Sequence, residues 1–366
     1  MELVVRKGDL LRELQLLQGI VERKNTIPIL ANVLLEADGD HLRLLATDLE
    51  VGLRSRCSAT VGKGGALTLP AKKLYEIVRA LPETDVRLAE DKGVVKVTAE
   101  RFDSKMSTLP RDDFPNLPDS AGQTQELSGT DLRRMVAYTQ FAITGEDTRY
   151  FLNGALFILA PDALSLVATD SHRLAFITVP RAGGAGDELR IILPRKTLLE
   201  LGRLLVDHEG PVLYEQGENH LFFTIGDRVL ISRVIDGQFP AYERVIPKGN
   251  DKVIEFDRDR LTSAVRRVAL LSNERSRAVK IDLSPGQVEV NSQSQEFGEA
   301  REVLPVEYDG SPLQVCFNAQ YVLDFLNVVD TEIVALALKD EMSQAVMTPV
   351  GADGYDYTYV IMPMRL

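Results

Sequence analysis

The chain has 366 residues, more than the ~250–300 at which a single hydrophobic core stops growing, so two or three domains of ordinary size are expected. With 45% hydrophobic and 26% charged residues it is neither disordered nor fibrous. Its apolar runs fall far short of the ~18 residues that span a bilayer, and "MELVVRKGDLLREL" lacks a signal peptide's order of regions, so no membrane partner and a cytoplasmic location are expected. Two cysteines and four scattered histidines support neither a disulfide framework nor a metal site, and no cofactor motif is found. A formal charge of −12, taken alone, argues against nucleic acid as a partner.

In chain order, "GDLLRELQLLQG" has the 3.6-residue periodicity of a helix, and the alternating "LRLLATDLEVGLRS" follows as strand. "PAKKLYEIVRAL" is a second helix opened by Pro70. A proline-rich stretch, "STLPRDDFPNLPD", then interrupts the pattern. The next helix, "SGTDLRRMVAYTQ", carries Ser128 and Asp131 as a capping box. "GALFILAPDALSLVA" reads as a hairpin and leads into "VATDSHRLAF". The helix "PRKTLLELGRLL" and the hairpin "HLFFTIGDRVLISRVI" come next, closed by "SRVIDGQFPAYERVIPK". The last third repeats the scheme: "DRDRLTSAVRRVALLS" with Asp257 as its cap, the hairpin "AVKIDLSPGQVEVNS", the helix "NAQYVLDFLNVV", and a methionine-rich tail, "YVIMPMRL".

These similarities are periodic. Asp48, Asp170 and Ser292 fall at equal intervals in related segments, and so do Pro70, Pro194 and Asn318 at the starts of related helices. In those helices Leu74, Leu198 and Val322 begin the apolar face; Ile77, Leu201 and Phe325 continue it; and Leu81, Leu205 and Val329 close it. The period exceeds the 20–50 residues of solenoid repeats. The fold class is therefore α+β: three tandem domains, each with two helices and antiparallel sheets, spanning 1–119, 120–247 and 248–366. The Phe-Pro stretches mark the joins.

Charge follows the same repeat. Leu261, Val265 and Val268 lie on one side of their helix and Arg260, Arg266 and Arg267 on the other. Arg134 stands opposite Leu132 and Val136, Arg79 and Arg203 share an offset, and Lys72, Lys73, Arg195 and Lys196 sit at helix starts. The third copy has Asn327 at that offset. Solvated helix faces commonly carry such residues, so charge alone favours an ordinary surface. Equivalent helices facing one axis would instead concentrate positive charge there.

Asp170, Ser171 and His172 are the residue types of a hydrolytic triad. Adjacency is no evidence for one, since a triad needs convergent geometry and an oxyanion hole, and the first repeat has Leu49 and Glu50 in place of Ser171 and His172. A hydrolase and a monomeric three-domain scaffold are the rival readings.

The periodicity, together with "TDLE", "TDSHRLA", "RYFLNGALF", "FPAYERVIP", "LSNERSRAVKI", "FNAQYVLDFLN" and "YVIMPMRL", resembles the bacterial sliding clamp family, the beta subunit of the replicative DNA polymerase, over essentially the whole chain. The resemblance implies a non-catalytic processivity factor: a head-to-tail homodimer closed into a ring of six domains around duplex DNA, held without base readout. Implied DNA-facing residues are Arg23, Lys24, Arg79, Arg134, Arg149, Tyr150, Phe151, Arg195, Lys196, Arg203, Arg266 and Arg267. Leu270 and Leu271 would pack at the dimer seam. A hydrophobic pocket between the second and third domains would take short linear motifs of the polymerase, clamp loader and repair proteins. Its implied walls are Leu152, Thr169, His172, Arg173, Leu174, Pro240, Arg244, Val245, Asn318, Tyr321, Val360, Met362, Pro363 and Met364. Two departures bear on pocket depth: Ser171 replaces a glycine often found there, and Ser276 stands where some members have an aromatic.

Overall fold

In the computed structural model, which describes residues 1–21, 27–120, 122–145, 147–181 and 187–365, each repeat is a succession of short antiparallel strands interrupted by two helices. The first contains β1 (Glu2–Arg6), α1 (Lys7–Leu17), β2 (Asn32–Asp38), β3 (His41–Thr47), β4 (Val51–Ser58), β5 (Thr60–Lys63), β6 (Gly65–Pro70), α2 (Ala71–Ala80), β7 (Asp85–Asp91), β8 (Val94–Ala99) and β9 (Phe102–Ser107). The second has β10 (Gln125–Ser128), α3 (Gly129–Thr139), β11 (Gly154–Leu159), β12 (Ala163–Thr169), β13 (Arg173–Pro180), β14 (Leu189–Pro194), α4 (Arg195–Leu204), β15 (Pro211–Gln216), β16 (His220–Ile225) and β17 (Arg228–Arg233). The third has β18 (Lys252–Asp257), α5 (Arg258–Ala269), β19 (Ala278–Ser284), β20 (Gln287–Ser294), β21 (Gly298–Pro305), β22 (Leu313–Asn318), α6 (Ala319–Val328), β23 (Ile333–Leu338), β24 (Ala345–Val350) and β25 (Asp356–Ile361).

The helix signals act as expected. Ser128 Oγ accepts from Asp131 N at 3.2 Å, Asp257 Oδ1 from Arg260 N at 2.8 Å and Asn318 Oδ1 from Gln320 N at 2.9 Å, each satisfying a first-turn donor. Leu74, Leu198, Val322, Leu201, Phe325, Leu81, Leu205 and Val329 are buried as the periodicity predicts. Ile77 departs from it and is only half-buried. The hairpin turns are equally local. In "SPGQ", Pro285 precedes Gly286 at φ 79°, a left-handed position suited to glycine, and Ser284 pairs with Gln287.

Sheet order shows what periodicity alone does not. One eight-stranded sheet runs β10-β15-β16-β17-β4-β3-β2-β6, and a second runs β14-β11-β12-β13-β25-β24-β23-β18. In each, half the strands come from one repeat and half from the next. The joining pairs are β17 with β4, where Ser232 faces Val51 and Val229 faces Arg54, and β13 with β25, where Arg173 faces Ile361 and Thr178 faces Asp356. The chain accordingly forms two compact units, Met1–Arg133 with Lys196–Val234, and Arg134–Arg195 with Ile235–Leu366. The middle repeat is divided between them.

Within the first unit, ionic bonds reinforce the join of repeats. Glu13 of α1 is buried and takes a bidentate pair from Arg228 of β17, with Nε to Oε2 at 2.9 Å and Nη2 to Oε1 at 2.6 Å. Removing one partner of such a pair strands the other charge. Glu13→Ala should therefore lower unfolding stability by about 3 kcal/mol. Urea denaturation followed by circular dichroism checks this, and the double change Glu13→Ala with Arg228→Met should recover part of the loss.

Candidate functional site

The two "Thr-Asp" turns are built alike. In the first unit, Thr47 Oγ1 donates to Val51 O at 3.1 Å and accepts from Leu49 N at 3.0 Å, while Asp48 Oδ1 accepts from the backbone N–H of Glu50 and Val51 at 2.9 and 2.7 Å. In the second, Thr169 Oγ1 donates to Arg173 O at 2.7 Å and accepts from Ser171 N at 3.1 Å, and Asp170 Oδ1 accepts from His172 N and Arg173 N at 3.0 Å each. Threonine and aspartate thus act as internal caps of a tight strand connection. Leu49 and Ser171 occupy its left-handed position, at φ 79° and 73°. The chemistry of a triad is missing: Asp170 is spent on backbone N–H groups and Arg173, and the His172 ring has no hydrogen bond among the described residues. His172 lies against Tyr321 instead, with ring centroids 6.4 Å apart.

Around the second turn several of the implied wall residues come together, and all of the set lie within the second unit. Leu174 pairs with Val360, and Met362 N donates to His172 O at 2.8 Å while Met364 N donates to Cys316 O at 2.7 Å, so the tail is bound between β13 and β22. Leu152, Leu174 and Val360 are buried; Thr169, Val245, Asn318, Tyr321, Met362, Pro363 and Met364 are half-buried; His172, Pro240 and Arg244 are exposed. Leu174, Val360 and Tyr242 share an apolar cluster against which Val245 packs. The turn thus lies beside an apolar cluster and the last residues of the chain.

Arg173 is placed differently from an open wall. Its guanidinium is buried, donates to Asp170 Oδ2 at 3.0 Å, to Asp324 of α6 and to Phe141 O, and lies 4.3 Å from the Tyr321 ring centroid. It ties the turn to α6 and seats Tyr321. Sequence reading missed Asp324 and Phe141, because neither lies in the "TDSHRL" motif; Asp324 occupies an unremarkable helical position, joined to Gln320 Nε2 at 2.8 Å. Ser276 N is bonded to Asn273 Oδ1 at 3.2 Å in the turn after α5.

The helix cations are placed in several ways. Arg79, Arg195, Arg203, Arg266 and Arg267 are exposed, whereas Arg134 and Lys196 are half-buried. Arg134 lies over the Tyr355 ring at 4.6 Å. Lys196 Nζ is engaged by Ile20 O at 2.7 Å and by the Asp48 carboxylate, which makes it part of the join between repeats. Arg203 bonds Glu200 at 2.7 Å, Arg266 bonds Asn327, and Arg267 makes a bidentate pair with Glu302 of β21 whose hydrogen bonds hold that carboxyl below its ordinary range. The Arg149 guanidinium and backbone N–H hold the Asp147 carboxyl down to about 2. Tyr150 is exposed and meets half-buried Phe151 edge-on at 5.9 Å. Arg23 and Lys24 lie outside the described residues. Leu270 is 78% exposed, while Leu271 is half-buried.

Three repeats of one α+β fold, joined through shared sheets, define a protein of the sliding-clamp class. Family models support that assignment along the chain: the N-terminal domain of the DNA polymerase III beta subunit matches residues 1–118, its central domain 126–241 and its C-terminal domain 243–365. The beta sliding clamps of Pseudomonas putida and Escherichia coli K12 are 42% and 37% identical to it, with both chains fully covered in each comparison. Among solved structures, the Pseudomonas aeruginosa clamp bound to griselimycin superposes with a TM-score of 0.94 at 39% identity, and the Bartonella birtlesii clamp bound to griselimycin with 0.95 at 36%, again over all of both chains. The chain belongs to the DNA polymerase III beta subunit family of sliding clamps.

The left-handed turn yields a direct test. An L side chain there costs about 1–2 kcal/mol, against about 0.5–1 kcal/mol for the added chain freedom of glycine. Ser171→Gly should raise the thermal unfolding midpoint slightly and Ser171→Val should lower it. Calorimetry in which both variants destabilise would remove the strain argument.

Proposed function

We propose that this protein is a non-catalytic, cytoplasmic processivity factor: two copies close head to tail around duplex DNA and tether the replicative polymerase, clamp loader and repair proteins through the recess at His172. The observation that carries the reading is the unfinished sheet pairing. Two of the three joins between repeats are made within the chain, by β4 with β17 and by β13 with β25. The third join would take β21, the counterpart of β4 and β13, and β9, the counterpart of β17 and β25. Both are outermost strands of their sheets. One chain's β21 pairing with its partner's β9 repeats the same junction and closes a ring of six clamp domains, cut near residues 119 and 247 in each chain. Leu270, exposed at the end of α5, supplies apolar contact at that seam, with half-buried Leu271 behind it.

Topology then does the holding. Duplex DNA inside a closed ring needs neither tight phosphate contact nor base readout, so the clamp can move while remaining attached. Arg79, Arg195, Arg203, Arg266 and Arg267 offer exposed cations; the pairings of Arg266 and Arg267 are of the surface kind, worth about 0–1 kcal/mol and readily exchanged for phosphate, whereas Arg203 is bonded to the buried Glu200. Arg134 and Arg149, with Tyr150 and Phe151, extend this surface; Arg23 and Lys24 are assigned to it by family resemblance, and Lys196 contributes through the join it holds. A tethered polymerase then gains local concentration from a weak contact.

The recess suits short motifs with aliphatic or aromatic anchors. Leu152, Leu174, Val245 and Val360 form its floor, Met362, Pro363 and Met364 give an adaptable wall, and Thr169, His172, Asn318 and Arg244 supply polar groups at the rim. Pro240 and Tyr321 border it, and Arg173 positions Tyr321. Replacing His172 by Ala, or deleting residues 362–366, should weaken a labelled peptide with leucine and phenylalanine anchors by about tenfold or more while the protein remains dimeric. Fluorescence anisotropy measures this; wild-type affinity in either variant would remove the pocket assignment, and an esterase activity lost only with His172 would favour a hydrolase.

A further inference from the structure

In the first repeat, β1 is paired on both sides: with β7 along its whole length and with the short strand β5, where Glu2 faces Lys63, Leu3 faces Val61 and Val4 faces Thr60. Its counterpart in the third repeat is β18, since each runs directly into the first helix of its repeat. β18 pairs with β23 and ends its sheet. The segment corresponding to β5, between β21 and β22, is drawn away. Val306 N donates to Gly286 O at 3.1 Å and Gly286 N to Tyr308 O at 2.8 Å, which binds this segment to the β19–β20 turn. A groove of about 750 Å³ remains between β18 and residues 305–307.

We propose that this groove is a docking site for a short, basic, extended segment of a partner protein, which adds to β18 as a further strand. The backbone edge supplies the mode of binding, because an open strand edge is a template for another strand. β5 shows the length that fits, four residues on the equivalent edge. Val253, 52% exposed, together with Val306 and Ile333 gives apolar contact beside the acidic positions of the same face.

Charge selects the occupant. The lining carries Glu255, Asp257 and Glu307 and no cation; one oxygen of Asp257 caps α5 through Arg260 N, which leaves Glu255 and Glu307 exposed. Lys252, at the start of β18, turns its ammonium to Lys339 O at 2.9 Å and Asp251 at 3.1 Å. A second copy of this chain pairing through β18 would set two acidic edges against each other, which disfavours self-association. Lysine or arginine at alternate positions would face Glu255 and Asp257, while valine or isoleucine between them falls on the side of buried Ile254 and Phe256.

The test uses the full-length protein and two fluorescein-labelled hexapeptides of alternating valine with lysine or with glutamate. The basic peptide should bind saturably, lose about tenfold or more in affinity to the double variant E255K/E307K, and keep its affinity in the presence of excess leucine–phenylalanine anchor peptide. Backbone exchange measured by mass spectrometry should slow in β18 on binding. Both substitutions lie on exposed side chains, and unchanged circular dichroism confirms that the variant folds. Equal binding of the two peptides, undiminished affinity in E255K/E307K, or competition by the anchor peptide would each overturn the proposal. So would self-association of E255K/E307K without loss of peptide affinity, since the acids would then serve only to guard the edge.

Discussion

A β-strand at the edge of a sheet carries unpaired backbone donors and acceptors, and the organisation of this protein follows from where those edges are satisfied. Each internal join between repeats is an antiparallel pairing of edge strands, β4 with β17 and β13 with β25. That constraint divides the middle repeat between two compact units. It also brings the C-terminal tail alongside the "TDSH" turn, through the register that sets Arg173 opposite Ile361. The strands β9 and β21 are outermost in their sheets.

The two "Thr-Asp" turns separate structure from function. Their hydrogen bonds are the same, residue for residue, so threonine and aspartate are explained by turn formation alone. Surroundings distinguish them. Asp48 meets Lys196 and helps join repeats, whereas Asp170 meets Arg173, which Asp324 and Tyr321 hold in place beside the tail. One local device thus serves as a seam in the first unit and anchors the turn beside the tail in the second. Several helix arginines are already paired: Arg203 with buried Glu200, Arg266 with Asn327 and Arg267 with Glu302.

Much of this was legible in the sequence, because helix faces, caps and hairpin turns depend on residues close together in the chain. Asp257, Asn318 and Ser128 cap as their positions suggest, and the equal spacing of Asp48, Asp170 and Ser292 exposes the triplication. Sheet continuity between repeats was not legible. β4 and β17 are far apart in sequence, and nothing in "VGLRSRCS" or "RVLISR" names the other as partner. The same distance hides Asp324 from Arg173 and Glu13 from Arg228. Lys196 reads as one more helix-start cation, yet its partner Asp48 lies a whole repeat away. Leu270 and Leu271 look equivalent in sequence, but the turn after α5 leaves one exposed and the other half-buried.

The central claim is that attachment to DNA comes from closure rather than affinity. The most direct measurement loads the protein onto nicked circular duplex DNA with a clamp loader, removes free protein by gel filtration, and compares retention before and after the circle is cut once at a site remote from the nick. The account predicts stable retention on the circle and rapid loss from the linear ends, at moderate salt and without dependence on base sequence. Equal retention on circular and linear DNA would contradict it, since a clamp held by contacts does not sense ends.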